Sequence, residues 1–89
     1  MEASLREVKD SIGAIHDYPK PGIVFRDITP LLQNHDAFKS SIDALKQRYE
    51  KSGVTQIAAI EARGFLFGSA LAYALGCGIT LLRKPGKLP

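Results

Sequence analysis

Gln56-Ile57-Ala58-Ala59-Ile60-Glu61-Ala62-Arg63-Gly64-Phe65, running on through Leu75 to Gly76-Cys77-Gly78-Ile79-Thr80-Leu81-Leu82, is the stretch on which the fold turns. Its first five residues are uncharged and of strand length, which suits an inner strand covered on both faces. Glu61 to Gly64 is a short polar turn, and Phe65 to Leu75 reads as a helix that is apolar all round. Gly76 is placed to cap that helix, and Ile79 to Leu82 forms a second strand. Strand, turn, helix and strand make a βαβ crossover, so the strands are parallel and the Glu61–Gly64 turn lies at the carboxyl edge of the sheet. The same residues have a competing reading. The 19 residues from Gly64 to Leu82 carry no charge, about the minimum for a helix crossing a bilayer, and Gly64 and Gly68 have small-xxx-small spacing. Two glycines flanking Cys77 argue instead for a helix end and a turn inside the run, which divides it into a helix and a strand.

Upstream, Asn34 suits an N-cap, and Phe38, Ile42, Leu45 and Tyr49 recur at helical spacing among Lys39, Asp43, Lys46 and Gln47. This predicts an amphipathic helix over 34–51, stopped by Ser52-Gly53, with Phe38 and Tyr49 in the core. In 16–33 the periodicity vanishes. Pro19, Pro21 and Pro30 forbid helix interior, and Pro19-Lys20-Pro21-Gly22 is a rigid turn. This loop carries an apolar island, Ile23-Val24-Phe25, which must lie on the core or on a flat ligand. Leu5, Val8, Ile12 and Ile15 share one helical face opposite Arg6, Glu7, Lys9 and Asp10, so residues 1–15 read as an amphipathic helix with Gly13 near its end. The elements therefore run helix 1–15, loop 16–33, helix 34–51, βαβ unit 56–84 and a final segment 85–89.

With 89 residues the chain holds a single domain, which excludes a two-domain enzyme. Its 45% hydrophobic and 24% charged residues are those of an ordinary globular protein. A net charge of +3, scattered along the chain, does not point to nucleic acid. The single cysteine, Cys77, cannot form an internal disulfide, has no nearby base to activate it, and demands no oxidising compartment. The charged N-terminus is unlike a secretory signal, so a cytoplasmic location is expected. His16 and His35 sit in polar stretches without a partner at metal-ligand spacing, and no protein-held metal is expected.

Ligands of open α/β sheets bind outside the carboxyl ends of strands. Here those ends carry Glu61 and Arg63 after the first strand, and Arg83, Lys84 and Lys87 after the second. Gly64 lies at the amino end of a helix, where unpaired N–H groups favour an anion and a missing side chain permits close approach. Phosphate or pyrophosphate fits this pattern, and so does a solvated basic rim. No Walker or dinucleotide glycine pattern is present. Glu61 suits a salt bridge, an orienting contact to Arg63, or a contact to a ribose hydroxyl. Phe25 suits either stacking on a base or packing beneath its loop.

Three segments carry a family resemblance: Pro19-Lys20-Pro21-Gly22-Ile23-Val24-Phe25-Arg26-Asp27-Ile28-Thr29-Pro30, Glu61-Ala62-Arg63-Gly64-Phe65-Leu66-Phe67-Gly68 and Arg83-Lys84-Pro85-Gly86-Lys87-Leu88-Pro89. In order and spacing they resemble the adenine phosphoribosyltransferases of the type I phosphoribosyltransferase family, over the amino-terminal half. The resemblance implies an α/β fold, the amino-terminal part of a type I phosphoribosyltransferase, in which a parallel βαβ unit follows two amphipathic helices and a proline-rich hood loop. It implies transfer of phosphoribosyl from 5-phosphoribosyl-1-pyrophosphate to adenine, giving AMP and pyrophosphate, with Mg2+ on the donor. By the same resemblance Val24, Phe25 and Arg26 belong to the hood that holds adenine, and Ala62, Arg63 and Gly64 form the pyrophosphate loop, with a cis peptide ahead of Arg63. Arg83, Lys84 and Lys87 approach the pyrophosphate, in a homodimer from the neighbouring subunit. Residues 85–89 correspond to the start of the family's mobile catalytic loop. The family's acidic base in that loop, its adjacent aspartates and its Ala-Thr-Gly-Gly-Thr turn have no counterpart here, so no catalytic residue is assigned. The expectation is a truncated form, inactive alone. The alternatives are a non-catalytic partner pairing with a full-length homologue, and a single-span membrane protein.

Overall fold

A computed structural model describes residues 2–87. Met1, Leu88 and Pro89, and with them the first residue of the helix read over 1–15 and the last two of the segment 85–89, lie outside the described residues. The chain divides into two compact units, Met1–Ala44 and Leu45–Pro89.

The first unit opens with α1 (Glu2–Asp10), followed by β1 (Gly13–His16), β2 (Val24–Asp27) and α2 (Thr29–Gln33), and leads into α3 (His35–Tyr49). The helix expected over 1–15 is shorter than the apolar spacing suggests. The Ser11 hydroxyl and N–H both donate to the Glu7 carbonyl, at 2.8 and 3.1 Å, and the Ile12 N–H turns to the Lys9 carbonyl at 3.2 Å. Gly13 costs about 1 kcal/mol in a helix interior, and β-branched Ile15 suits an extended backbone. Residues 13–16 accordingly pair antiparallel with 24–27, Gly13 opposite Asp27 and His16 opposite Val24. The expected loop 16–33 is thus the second half of a hairpin and a short helix rather than irregular chain. Its turn is held by the Gly22 N–H donating to Asp17 Oδ1 at 2.8 Å and by the Tyr18 N–H donating to the Ile23 carbonyl at 3.1 Å. Gly22 has φ +87°, a conformation that a side chain would resist. The Tyr18–Pro19 peptide is cis. Asp27 Oδ1 accepts from the Thr29 N–H at 2.9 Å to start α2, and Leu31 is buried there.

Asn34 performs the capping expected of it: its Oδ1 accepts the Ala37 N–H at 3.1 Å. Ala37 and Ile42 form the buried face of α3. Phe38 is half-buried, but Tyr49, expected in the core, is 38% exposed with the Arg48 guanidinium 5.8 Å from its ring centroid. It sits in the last turn, where the helical face ends.

The second unit is the βαβ crossover. β3 (Gln56–Ile60), α4 (Arg63–Leu75) and β4 (Gly78–Leu82) follow one another, and β3 pairs with β4 in parallel, Ile57 opposite Ile79 and Ile60 opposite Leu82. Gly76, at φ +74°, ends α4 as expected, and the Cys77 N–H closes the turn onto the Ala72 carbonyl at 3.0 Å. This break divides the uncharged run, and among the described residues no helix is long and apolar enough to cross a membrane. That break leaves the single-span reading unfavoured.

Close approach of α4 to the sheet depends on Gly68, where an added Cβ would lie 2.8 Å from Ala59 Cβ and 3.1 Å from Ile79 Cδ1. Ala59, Leu71 and Ala72 are buried at this contact. Two expectations fail here. β3 was to be an inner strand covered on both faces, yet its other face, carrying Ala58 and Ile60 beside Thr80 and Leu82, is exposed, Ile60 to 68%. α4 is apolar all round and so suited to burial on every side, yet Leu66 and Tyr73 lie exposed, Tyr73 to 91%. One layer of helix covers one face of a sheet, and an uncharged sequence marks residues that can be covered without supplying the cover.

Candidate functional site

The carboxyl edge of the second unit follows from register. Ile60 and Leu82 are opposite each other at the ends of parallel strands, so Glu61 and Arg83 leave the sheet side by side. The Glu61 N–H donates to the Leu82 carbonyl at 3.1 Å, carrying the pairing one step further. Glu61 Oε2 accepts from Arg83 Nε at 3.2 Å and Nη2 at 3.1 Å, and Oε1 accepts from the Lys84 N–H at 2.9 Å. One carboxylate therefore binds the first two residues beyond β4. The Lys84 N–H is the larger influence that lowers the Glu61 pKa, the Arg83 guanidinium adds to it, and partial burial works against both. The Arg83 guanidinium also lies 5.9 Å from the Phe65 ring centroid, in the first turn of α4. Of the contacts open to Glu61, the structure shows a salt bridge, with Arg83 as partner. A hollow of about 360 Å³ is lined by Ile60, Glu61, Leu82, Arg83 and Lys84.

The turn is shorter than the sequence suggests, because α4 begins at Arg63 and not at Phe65. Glu61 and Ala62 make the whole connection, and the Glu61–Ala62 peptide is cis, one bond earlier than the position immediately ahead of Arg63. Ala62 is the N-cap and offers no side-chain oxygen to the first-turn N–H groups. An added Cβ on Gly64 would meet only the Ala59 carbonyl carbon at 3.8 Å, an ordinary contact, so packing within this unit does not require glycine there. Arg63 and Gly64 share the start of α4 with Ala62, and Arg83 and Lys84 stand at the end of the neighbouring strand. Lys87 follows in a turn in which its N–H donates to the Lys84 carbonyl at 3.2 Å, with Gly86 at φ +86°. All six residues assigned to pyrophosphate thus belong to this unit and to its carboxyl side.

Val24, Phe25 and Arg26 lie in β2 of the first unit and not in a loop. Strand alternation sends Val24 and Arg26 to one side, both exposed, and Phe25 to the other, half-buried. The Phe25 ring meets Tyr18 edge to face, with centroids 5.4 Å apart. Arg26 lines a hollow of about 410 Å³ with Lys9, Ile12 and Ile28. Among the described residues no group of three His, Cys, Asp or Glu side chains could hold a metal ion.

Sequence reasoning missed the Lys84 amide and the Glu61–Arg83 pair. Their signal was the parallel register, since aligning Ile60 with Leu82 places the next residues together.

No family model matches the chain. An adenine phosphoribosyltransferase of Idiomarina loihiensis is 73% identical over 89 residues, all of this chain and 50% of that protein. Among solved structures, adenine phosphoribosyltransferase of Saccharomyces cerevisiae, complexed with adenine and D-2,5-dideoxy-2,5-imino-altritol 1,6-bisphosphate, superposes with a TM-score of 0.93 at 38% identity. It is matched over all of this chain and 55% of its own. The Thermoanaerobacter pseudethanolicus enzyme gives 0.90 at 54% identity, over 96% of this chain and 51% of its own. The chain spans about half the length of the curated relatives it matches. Along its whole length it is a homologue of the adenine phosphoribosyltransferases, with the fold of their amino-terminal half.

Proposed function

We propose that this chain carries the base side and the leaving-group side of the reaction adenine + 5-phosphoribosyl-1-pyrophosphate → AMP + pyrophosphate. Adenine is held at the hairpin by Val24, Phe25 and Arg26. The diphosphate of the donor is held at the carboxyl edge of the second unit by Ala62, Arg63 and Gly64, with Arg83, Lys84 and Lys87 supplying positive charge. Mg2+ travels on the donor's diphosphate. The chain works in the cytoplasm as part of a homodimer.

The observation that carries this reading is the match of the whole chain, at a TM-score of 0.93, to a yeast enzyme complexed with adenine and a bisphosphate. The local chemistry supports it. An uncapped helix start, a glycine that packing does not demand, and cations on the adjacent strand end suit an anion. Departure of pyrophosphate leaves an oxocarbenium-like sugar, which must be gripped between base and leaving group. These 89 residues contain no pair of adjacent aspartates of the kind that cradles the ribose, so the grip is one-sided and the chain is inactive alone. Radiolabelled adenine incubated with the donor, Mg2+ and the purified chain is expected to yield no AMP above background. AMP formed at ordinary enzymatic rates would overturn the inactivity. In binding, adenine is expected to associate weakly and AMP no more tightly, because the Ala-Thr-Gly-Gly-Thr turn that cradles the 5-phosphate in the resembled family does not occur in these 89 residues.

A further inference from the structure

We infer that Glu61 is a positioning residue of the diphosphate site: its carboxylate clips Arg83 and the Lys84 amide into the arrangement that receives the anion. The inference rests on the reading of that edge as a diphosphate site. It starts from an oddity of charge. A carboxylate stands among the cations assigned to an anion, where by charge alone it weakens binding. Yet it is the structural centre of the edge. Both of its oxygens are used, Oε2 by two nitrogens of Arg83 and Oε1 by the backbone of Lys84, at 2.9 to 3.2 Å. The Arg83 side chain spends its entropy on this pair and on the Phe65 ring, so the guanidinium is held in one place before an anion arrives. The Lys84 bond fixes the backbone at the root of the segment leading to Lys87. Glu61 itself needs no contact with the diphosphate.

Charge and positioning predict opposite signs for the same substitution, and this makes the role testable. Inorganic pyrophosphate is titrated calorimetrically into the full 89-residue chain and into E61Q, R83Q and the double variant, with circular dichroism to confirm folding. Positioning predicts that E61Q binds about three- to fivefold more weakly although a negative charge has been removed. It also predicts that the double variant is no weaker than R83Q, because Glu61 acts through Arg83. An E61Q chain that binds as tightly as the parent or more tightly overturns the positioning role and leaves the diphosphate reading standing. A parent chain that binds no pyrophosphate overturns that reading and the role with it. The unmodified chain gives a second check by NMR. The Lys84 amide proton is expected to keep its low-field, carboxylate-bound shift as pyrophosphate saturates. Its collapse toward the value of a solvated amide would mean that the anion displaces Glu61, and the role would fall.

Discussion

Gly64 and Gly68 are one helical turn apart in the same helix, and the letters around them do not distinguish their jobs. Gly64 was readable as a point of close approach because it follows a strand and opens a helix. Gly68 was not, because its role depends on Ala59 and Ile79 facing it across the helix–sheet contact. The two substitutions to alanine should therefore part company. Gly68→Ala is expected to destabilise by about 1–2 kcal/mol, overpacking against Ala59 outweighing the better helix propensity of alanine. Urea denaturation measures it, and an unchanged midpoint would mean that α4 can shift away from the sheet. Gly64→Ala has room for its methyl group, so it is expected to be as stable as the parent or up to about 1 kcal/mol more stable. The same variant should bind pyrophosphate several-fold more weakly. Weaker binding with undiminished stability is the signature of a glycine kept for a ligand. Glu61 was legible only as a carboxylate near cations, with its partner unassigned until the register of β3 and β4 placed Arg83 beside it.

Among the elements, α3, β3, α4 and β4 follow from periodicity and from Asn34, Gly53 and Gly76, while the β1–β2 hairpin does not. Ile12 and Ile15 fit helical spacing behind Val8, and a four-residue strand is too short for its alternation to compete. What decides is the partner segment Val24–Asp27, across the hairpin turn and masked in the sequence by the prolines around it. The Glu61 clip is an element-level device, since it joins the ends of two strands, and it carries a pH dependence. The Glu61 carboxyl is held below its ordinary value by the Lys84 amide and then by Arg83. A depressed carboxyl stabilises the fold fully above its unfolded pKa, about 4.3, and that contribution is lost as pH falls through the lower folded value. The stability difference between the parent chain and Glu61→Gln should be constant well above the unfolded pKa of about 4.3, shrink as pH falls past it, and close once pH has fallen through the lower folded value. Denaturation midpoints measured across that range test it. A gap that persists in acid would show that the clip acts through shape and not through charge.

At the scale of the whole molecule, the second unit presents apolar surface that its helix does not cover. Ile60, Leu82, Leu66 and Tyr73 are all exposed. Sequence marked these residues as coverable, and it could not say what covers them, because that depends on elements beyond the local pattern. The folded chain is expected to enhance the fluorescence of a hydrophobic dye, and Ile60→Ser to reduce that signal while changing stability by less than about 0.5 kcal/mol. An unaltered signal would place the dye elsewhere. The account as a whole rests on two ligand-binding segments, Val24–Arg26 in the first unit and the carboxyl edge of the second. Titration of the isotopically labelled chain with inorganic pyrophosphate and, separately, with adenine, followed residue by residue by NMR, tests this most directly. Pyrophosphate should move the amide resonances of Ala62 to Phe65 and of Arg83, Gly86 and Lys87 while that of Lys84 keeps its carboxylate-bound position, and adenine should move those of Val24 to Arg26. Shifts confined to other residues, or none at millimolar concentrations of either ligand, would contradict the account.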